Sequence, residues 1–245
     1  MNLNWIYKSG DDFCKEINEG KVYNFARYGD AEWAWLCGKV FTNSDGHDTF
    51  ENGSKELASS VIKPNGTRIG TMNIFRSWGS PERKKKWQYI YQFIKKNNML
   101  NYDWYHACLW INQQVEYANK KLINPLVTTL RNFKHKIIIV GPKHCRQIKD
   151  KIFNYDYFIE IPNKNCYIAK DKIYNKIIQI YKENNNQPCL VGFSSGFTSN
   201  ILINKLSYTM DNSWLLDFGS IWEPYFNIAI RGYQPDVIKN GGLII

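Results

Sequence analysis

The sequence holds no apolar run approaching the roughly 18 residues that a membrane span needs. Its longest candidate, Ile137 to Val140, has the length of a buried strand. The start, MNLNWIYKSGDDF, lacks the apolar core and small-residue cleavage site of a secretory leader, so a cytoplasmic protein is expected. Cysteine is sparse. Cys14, Cys37, Cys108, Cys145, Cys166 and Cys189 form no CxxC, and none stands at zinc-finger spacing from a histidine. Reduced, mostly buried thiols are expected. The P-loop GxxxxGK[ST], the dinucleotide GxGxxG and the nucleophile elbow GxSxG are all missing. No fixed-period repeat and no helix-turn-helix, RRM or zinc-finger signature occurs.

What is present is a chain of 245 residues, 44% hydrophobic and 16% aromatic. Such a composition buries a sizeable core and excludes a disordered tail. Thirty-two basic residues face 22 acidic ones, a formal net charge of +10. A basic surface suits anionic partners: nucleic acid, phosphates, nucleotide sugars or acidic glycans. Asparagine, isoleucine and lysine are all plentiful, which resembles AT-rich codon bias, so part of the charge reflects composition alone.

Short β-type runs alternate with helical stretches. Strands are expected at Val22–Phe25, Thr67–Met72, Lys136–Val140, Tyr157–Ile161, Pro188–Phe193 and Trp214–Asp217. Helices are expected from Ala31, over Glu82–Asn97, Trp104–Asn119 and Asp171–Asn184, and from Ser194 through Leu206. This alternation predicts an α/β fold with a mostly parallel sheet. No composition break divides the chain, so one domain spanning residues 1–245 is expected. Ligands of such sheets bind beyond the carboxyl ends of the strands.

Three segments there carry chemistry. Arg27-Tyr28-Gly29-Asp30-Ala31-Glu32 places an arginine and an Asp-x-Glu pair after the first strand. On an extended loop the carboxylates of Asp30 and Glu32 share one side and can hold Mn²⁺ or Mg²⁺. The alternative is structural: Asp30 caps a helix and Glu32 favours its dipole. Ser194-Ser195-Gly196-Phe197-Thr198 joins a strand to a helix start, where backbone N–H groups favour an anion. An ordinary turn with a serine cap is its alternative. Asp217-Phe218-Gly219-Ser220-Ile221-Trp222-Glu223-Pro224-Tyr225 follows the last strand. Either Asp217 or Glu223 can act as a general base, or serve as a turn cap and a solvated charge respectively.

In this order the segments resemble the GT-D class of glycosyltransferases. That class has an early R-[YF]-G-D-[GA]-E, a V-G-P, an I-P followed by Asn, an S-x-G-x-x-[AS] and a late D-x-G-S-x-x-[DE]-P-Y. Here these stand as Arg27 to Glu32, Val140-Gly141-Pro142, Ile161-Pro162-Asn163, Ser194 to Ser199 and Asp217 to Tyr225. The resemblance implies a single Rossmann-like domain. It implies transfer of a hexose from a nucleoside-diphosphate sugar, typically a UDP-sugar, to a glycan or glycoprotein hydroxyl. It implies a metal and diphosphate site at Asp30 and Glu32 with Mn²⁺ or Mg²⁺, and donor contacts from Arg27, Tyr28, Gly29, Ser194, Ser195, Gly196, Thr198 and Ser220. Some members of the class carry histidine where this chain has Ser220, which leaves a weaker hydroxyl contact here.

Asn73, Arg76 and Asn112 are further candidates for the sugar site. Trp33, Trp35, Trp78, Trp104, Trp110 and Trp222 are stacking or core residues. The run Arg83 to Lys86 is a solvated helix face or a steering patch for an anionic acceptor. Two rivals stand beside this reading: a phage-type DNA glycosyltransferase acting on hydroxymethylated bases, and a non-catalytic nucleic-acid-binding module. A methyltransferase would need a glycine-rich loop where Arg27 to Glu32 stand.

Overall fold

The computed structural model describes residues 3–38, 51–72 and 81–239. Asn73, Arg76 and Trp78 lie outside them. The first half of the chain runs β1 (Asn4–Trp5), α1 (Gly10–Asn18), β2 (Asn24–Tyr28), α2 (Asp30–Leu36), α3 (Glu51–Ile62), β3 (Arg68–Thr71), α4 (Pro81–Lys96), β4 (Asp103–His106), α5 (Leu109–Lys120) and α6 (Pro125–Arg131). The second half runs β5 (Lys136–Gly141), α7 (Ile148–Lys151), β6 (Tyr157–Glu160), α8 (Lys170–Glu183), β7 (Cys189–Phe193), α9 (Phe197–Ser207), β8 (Trp214–Asp217) and α10 (Gln234–Lys239). Short 3₁₀ turns occupy Lys143–Gln147, Cys166–Ala169 and Glu223–Phe226.

The strands form one sheet in the order β1-β4-β3-β2-β8-β7-β5-β6, parallel at every pairing. Alternation of side chains across the pleat divides the core in two. Ile138 and Val140 of β5, with Ala26 and Tyr28 of β2, pack under α2, α3, α4, α8 and α9. Ile137 and Ile139, with Phe25 and Leu216, pack under α1, α5, α6 and α7. Helices thus cover both faces, as the hydrophobic runs of a buried parallel sheet require. In β7 the backbone passes so near the Phe218 ring that a Cβ on Gly192 would lie 2.4 Å from it.

Two expectations need correction. The helix expected over Trp104–Asn119 is a strand and then a helix. Trp104 and Tyr105 are β-forming aromatics, and pairing with Ile69 and Gly70 of β3 overrides their helical spacing. The first main strand also extends to Tyr28, so Arg27 and Tyr28 end β2 rather than open the following loop. The tryptophans resolve toward packing. Trp33, Trp35, Trp104, Trp110 and Trp222 are all buried, which removes them as stacking platforms. Arg83 to Lys86 fall on α4. Cys14, Cys145, Cys166 and Cys189 are buried thiols outside any disulfide. No helix of the described residues is long and apolar enough to cross a membrane.

Candidate active site

The strand order reverses direction where β2 meets β8: the chain runs outward from β2 through β3 to β4, while β8 brings the second half back. At this seam Arg27 Nε lies 3.1 Å from Asp217 Oδ2, and Nη2 lies 3.4 Å from Oδ1. Both side chains are largely buried, at 15% and 5% exposure. Gly219 N–H donates to Asp217 Oδ1 at 2.9 Å. Asn200 of α9 donates to the Arg27 carbonyl at 2.9 Å, fixing the strand end from one face. Burial raises the Asp217 carboxyl above the usual carboxylate range, against the pull of Arg27 and the Gly219 N–H. Burial also opposes the Arg27 charge, but the Asp217 carboxylate outweighs it and holds the guanidinium above its ordinary value. A guanidinium keeps its proton in proteins, and the carboxylate accepts from three donors, so the pair is ionic. Gly219 has φ +58°, and a Cβ there would lie 1.7 Å from Arg27 Nη2. The turn after β8 tolerates no side chain at position 219.

The acidic pair is not on an extended loop. Asp30 and Glu32 occupy the first turn of α2, whose N-cap is Gly29. Residues two apart on a helix do not face the same way, so the shared side expected of an extended segment is lost. Glu32 Oε2 accepts from Gly29 N–H at 2.8 Å, the half of a capping box that a glycine N-cap allows. Asp30 is therefore not the cap; Glu32 is the capping carboxylate, and both still line the cleft.

The Ser-Gly loop enters α9 through Gly196, at φ +58° and ψ −147°, with no side-chain cap. Ser199 takes the serine's expected place: its Oγ accepts from Ser195 N–H at 3.3 Å and pairs with Ser195 Oγ at 2.8 Å. Ser194 Oγ is buried and has no hydrogen-bond partner among the described residues. Ser194, Ser195 and Gly196 line the cleft.

Tyr28 and Thr198 do not line the cleft. Tyr28 alternates into the core under α3, where its hydroxyl meets Ser60 Oγ at 2.8 Å and burial raises its pKa. Thr198 is fully buried on the first turn of α9. Asn112 is exposed on α5, one residue past the cleft-lining Ile111.

The cleft across the carboxyl ends of the strands holds about 910 Å³. It gathers Arg27, Gly29, Asp30, Glu32, Asp217, Ser220 and Glu223 with the Ser194 to Gly196 loop, and with Pro142 and Ile161 to Asn163 of the middle motifs. Sequence reasoning missed His144, Lys164, Arg231 and Tyr233, which line it as well. His144 stands two residues beyond Gly141-Pro142, so the motif pointed at its neighbourhood without naming it. Arg231 and Tyr233 arrive through Gln234, which is fully buried. Its Oε1 accepts from Ile230 and Arg231 N–H at 2.7 and 2.8 Å, and its Nε2 donates to the Ser220 carbonyl at 2.7 Å. Among the described residues no three His, Cys, Asp or Glu side chains converge as a metal-binding group. A second cavity of about 510 Å³ lies between Arg131, Lys136, Asp156 and Pro188, at the amino ends of β5 and β7 and away from every motif.

A parallel sheet covered on both faces, with a cleft at a reversal of strand order, defines the class of α/β proteins that bind ligands at such a switch point. No protein-family model and no curated protein matches the sequence. Two solved structures share the fold. One is a selenomethionine form of domain of unknown function 1792, with a TM-score of 0.61 and 15% identity, covering 91% of this chain and 80% of that chain. The other, at 0.56 and 15% over the same shares, is described as showing that this domain has a distinct glycosyltransferase fold. The chain therefore has that glycosyltransferase fold, in agreement with the resemblance of its ordered motifs to the GT-D class.

Proposed function

We propose that the protein transfers a hexose from a nucleoside-diphosphate sugar, a UDP-sugar in the first instance, to a hydroxyl on a glycan or glycoprotein. One observation carries the reading: Arg27, the Asp-x-Glu pair, the Ser-Gly loop and the late carboxylates, far apart in sequence, line one cleft. The start of α9, which Gly196 opens, offers backbone N–H groups to a diphosphate. Arg27 binds with its charge already matched by Asp217, so it serves chiefly as a fixed donor of hydrogen bonds.

The charge balance of the cleft supports an accompanying cation. Among the described residues the carboxylates of Asp30, Glu32, Asp217 and Glu223 line it beside the cations Arg27, Lys164 and Arg231. A diphosphate entering alone would bring negative charge beside these carboxylates. Asp30 and Glu32 offer the oxygen donors that Mn²⁺ or Mg²⁺ prefers, but one Glu32 oxygen is engaged by the Gly29 N–H. Asp30 and Glu32, which line the cleft without sharing one side, would hold such an ion only with the help of the donor. Such an ion, when bound, neutralises charge on the departing diphosphate. The chain's own part is to hold the donor across the ends of β2, β8 and β7 and to stabilise the leaving group.

A screen of nucleotide sugars, with and without Mn²⁺, reads the nucleoside diphosphate released. UDP release from a UDP-sugar, dependent on Mn²⁺ and abolished by Asp30→Ala in a folded protein, is expected. Full turnover by Asp30→Ala would overturn the assignment.

A further inference from the structure

Transfer to a hydroxyl releases its proton, and the positions of Asp217, Glu223 and His144 single out one side chain to take it. Asp217 is bound to Arg27 and to the Gly219 N–H. Glu223 begins a 3₁₀ turn with its side chain 4% exposed. Its Oε2 has no partner and less than 1 Å² of surface, so a substrate hydroxyl does not reach that oxygen. His144, on the turn after β5, is 29% exposed and lines the cleft. Its Nε2 stands 3.4 Å from Glu223 Oε1, and its ring meets Phe226 with centroids 6.4 Å apart. Glu223 is the charged side chain recorded against the ring among the described residues. Nε2 is the nitrogen turned to the carboxylate, which leaves Nδ1 as the other ring nitrogen of this cleft-lining side chain.

We propose that His144 is the proton acceptor of the transfer, and that Glu223 is a positioning residue that orients its ring and balances the charge it gains. The inference rests on the glycosyltransferase reading. The acceptor oxygen forms a bond to the anomeric carbon as its proton passes to His144 Nδ1. The bond from that carbon to the diphosphate oxygen breaks, and the nucleoside diphosphate leaves with the electron pair. The imidazolium then faces the Glu223 carboxylate. An oriented base behind which a buried carboxylate sits is the usual arrangement of such pairs, and their hydrogen bonds commonly shorten once substrate is bound.

The test uses the full chain with Mn²⁺ and water as acceptor. UDP release from UDP-glucose, UDP-galactose and UDP-N-acetylglucosamine is followed beside UDP binding by calorimetry. His144→Gly is expected to slow UDP release on the order of 100-fold or more while UDP affinity holds, and added imidazole is expected to restore part of the rate. Glu223→Gln should slow release too. The double variant should be no slower than His144→Gly, because the two act as one unit. Wild-type rates in His144→Gly, independent multiplying losses, or no response to imidazole would overturn the inference. Should the glycine variant lose UDP binding, His144→Gln supplies the same comparison of rate against affinity. Wild-type protein that neither binds UDP nor consumes any of the three donors overturns the glycosyltransferase reading itself, and this inference with it.

Discussion

Arg27 and Asp217 stand 190 residues apart in sequence and 3.1 Å apart across the seam between β2 and β8. The contact joins the two halves of the sheet at the edge where the candidate site lies. Asp217→Asn leaves a guanidinium buried without its counter-charge, and such losses cost about 3–5 kcal/mol. A lower urea midpoint is expected. The double replacement Arg27→Met with Asp217→Leu is expected to recover most of that stability, since neither charge then stays buried alone. Activity should be lost in both.

Gly219 holds the same seam from the other side. Its φ of +58° disfavours any side chain, and a Cβ would strike Arg27 Nη2. Gly219→Ala is expected to lower stability by on the order of 1–3 kcal/mol and to push Arg27 off Asp217. Thermal unfolding reads the first effect. UDP binding reads the second, and it should weaken even at temperatures where the variant is fully folded.

The legibility of this site in the sequence follows from range. The strands β5, β7 and β8 are short apolar runs closed by turn residues, and they stand out because both their faces are buried. The motif from Arg27 to Glu32 is visible because its residues are contiguous. Trp104 and Tyr105 deceived because aromatics at helical spacing fit either element until β3 supplies a pairing partner. Glu32 deceived because its bond to the Gly29 N–H depends on where α2 starts, and helix starts shift by a residue or two. The pairing of Arg27 with Asp217, and of His144 with Glu223, depends on strand order. No local pattern encodes that order.

The double duty of Glu32 separates two substitutions. Glutamine at the same capping position can still accept from the Gly29 N–H, whereas alanine cannot. Glu32→Gln should keep wild-type stability and lose Mn²⁺-dependent UDP release. Glu32→Ala should lose both, with a stability cost of about 1 kcal/mol. Asp30→Asn should behave as Glu32→Gln does, since Asp30 is not the cap. Urea unfolding beside the Mn²⁺ dependence of turnover distinguishes all three.

Away from the site, Glu16 of α1 bonds to Arg68 and Lys8, and the Arg68 guanidinium lies over the rings of Tyr23, Phe13 and Tyr105 at 4.3, 5.1 and 5.6 Å. Burial raises the Glu16 carboxyl, but hydrogen bonds from Arg68 and Lys8 outweigh it and hold the group below the ordinary glutamate value of 4.5. A carboxyl lowered on folding binds fewer protons in the native state than in the unfolded one. Its contribution is therefore complete above pH 4.5 and is lost as pH falls through the lowered native value. Glu16→Gln should lower the urea midpoint near neutral pH. It should also flatten the decline on acidification, so that wild type and variant converge once the pH lies below the lowered native value. Parallel curves at all pH values would place the interaction outside the stability of the fold.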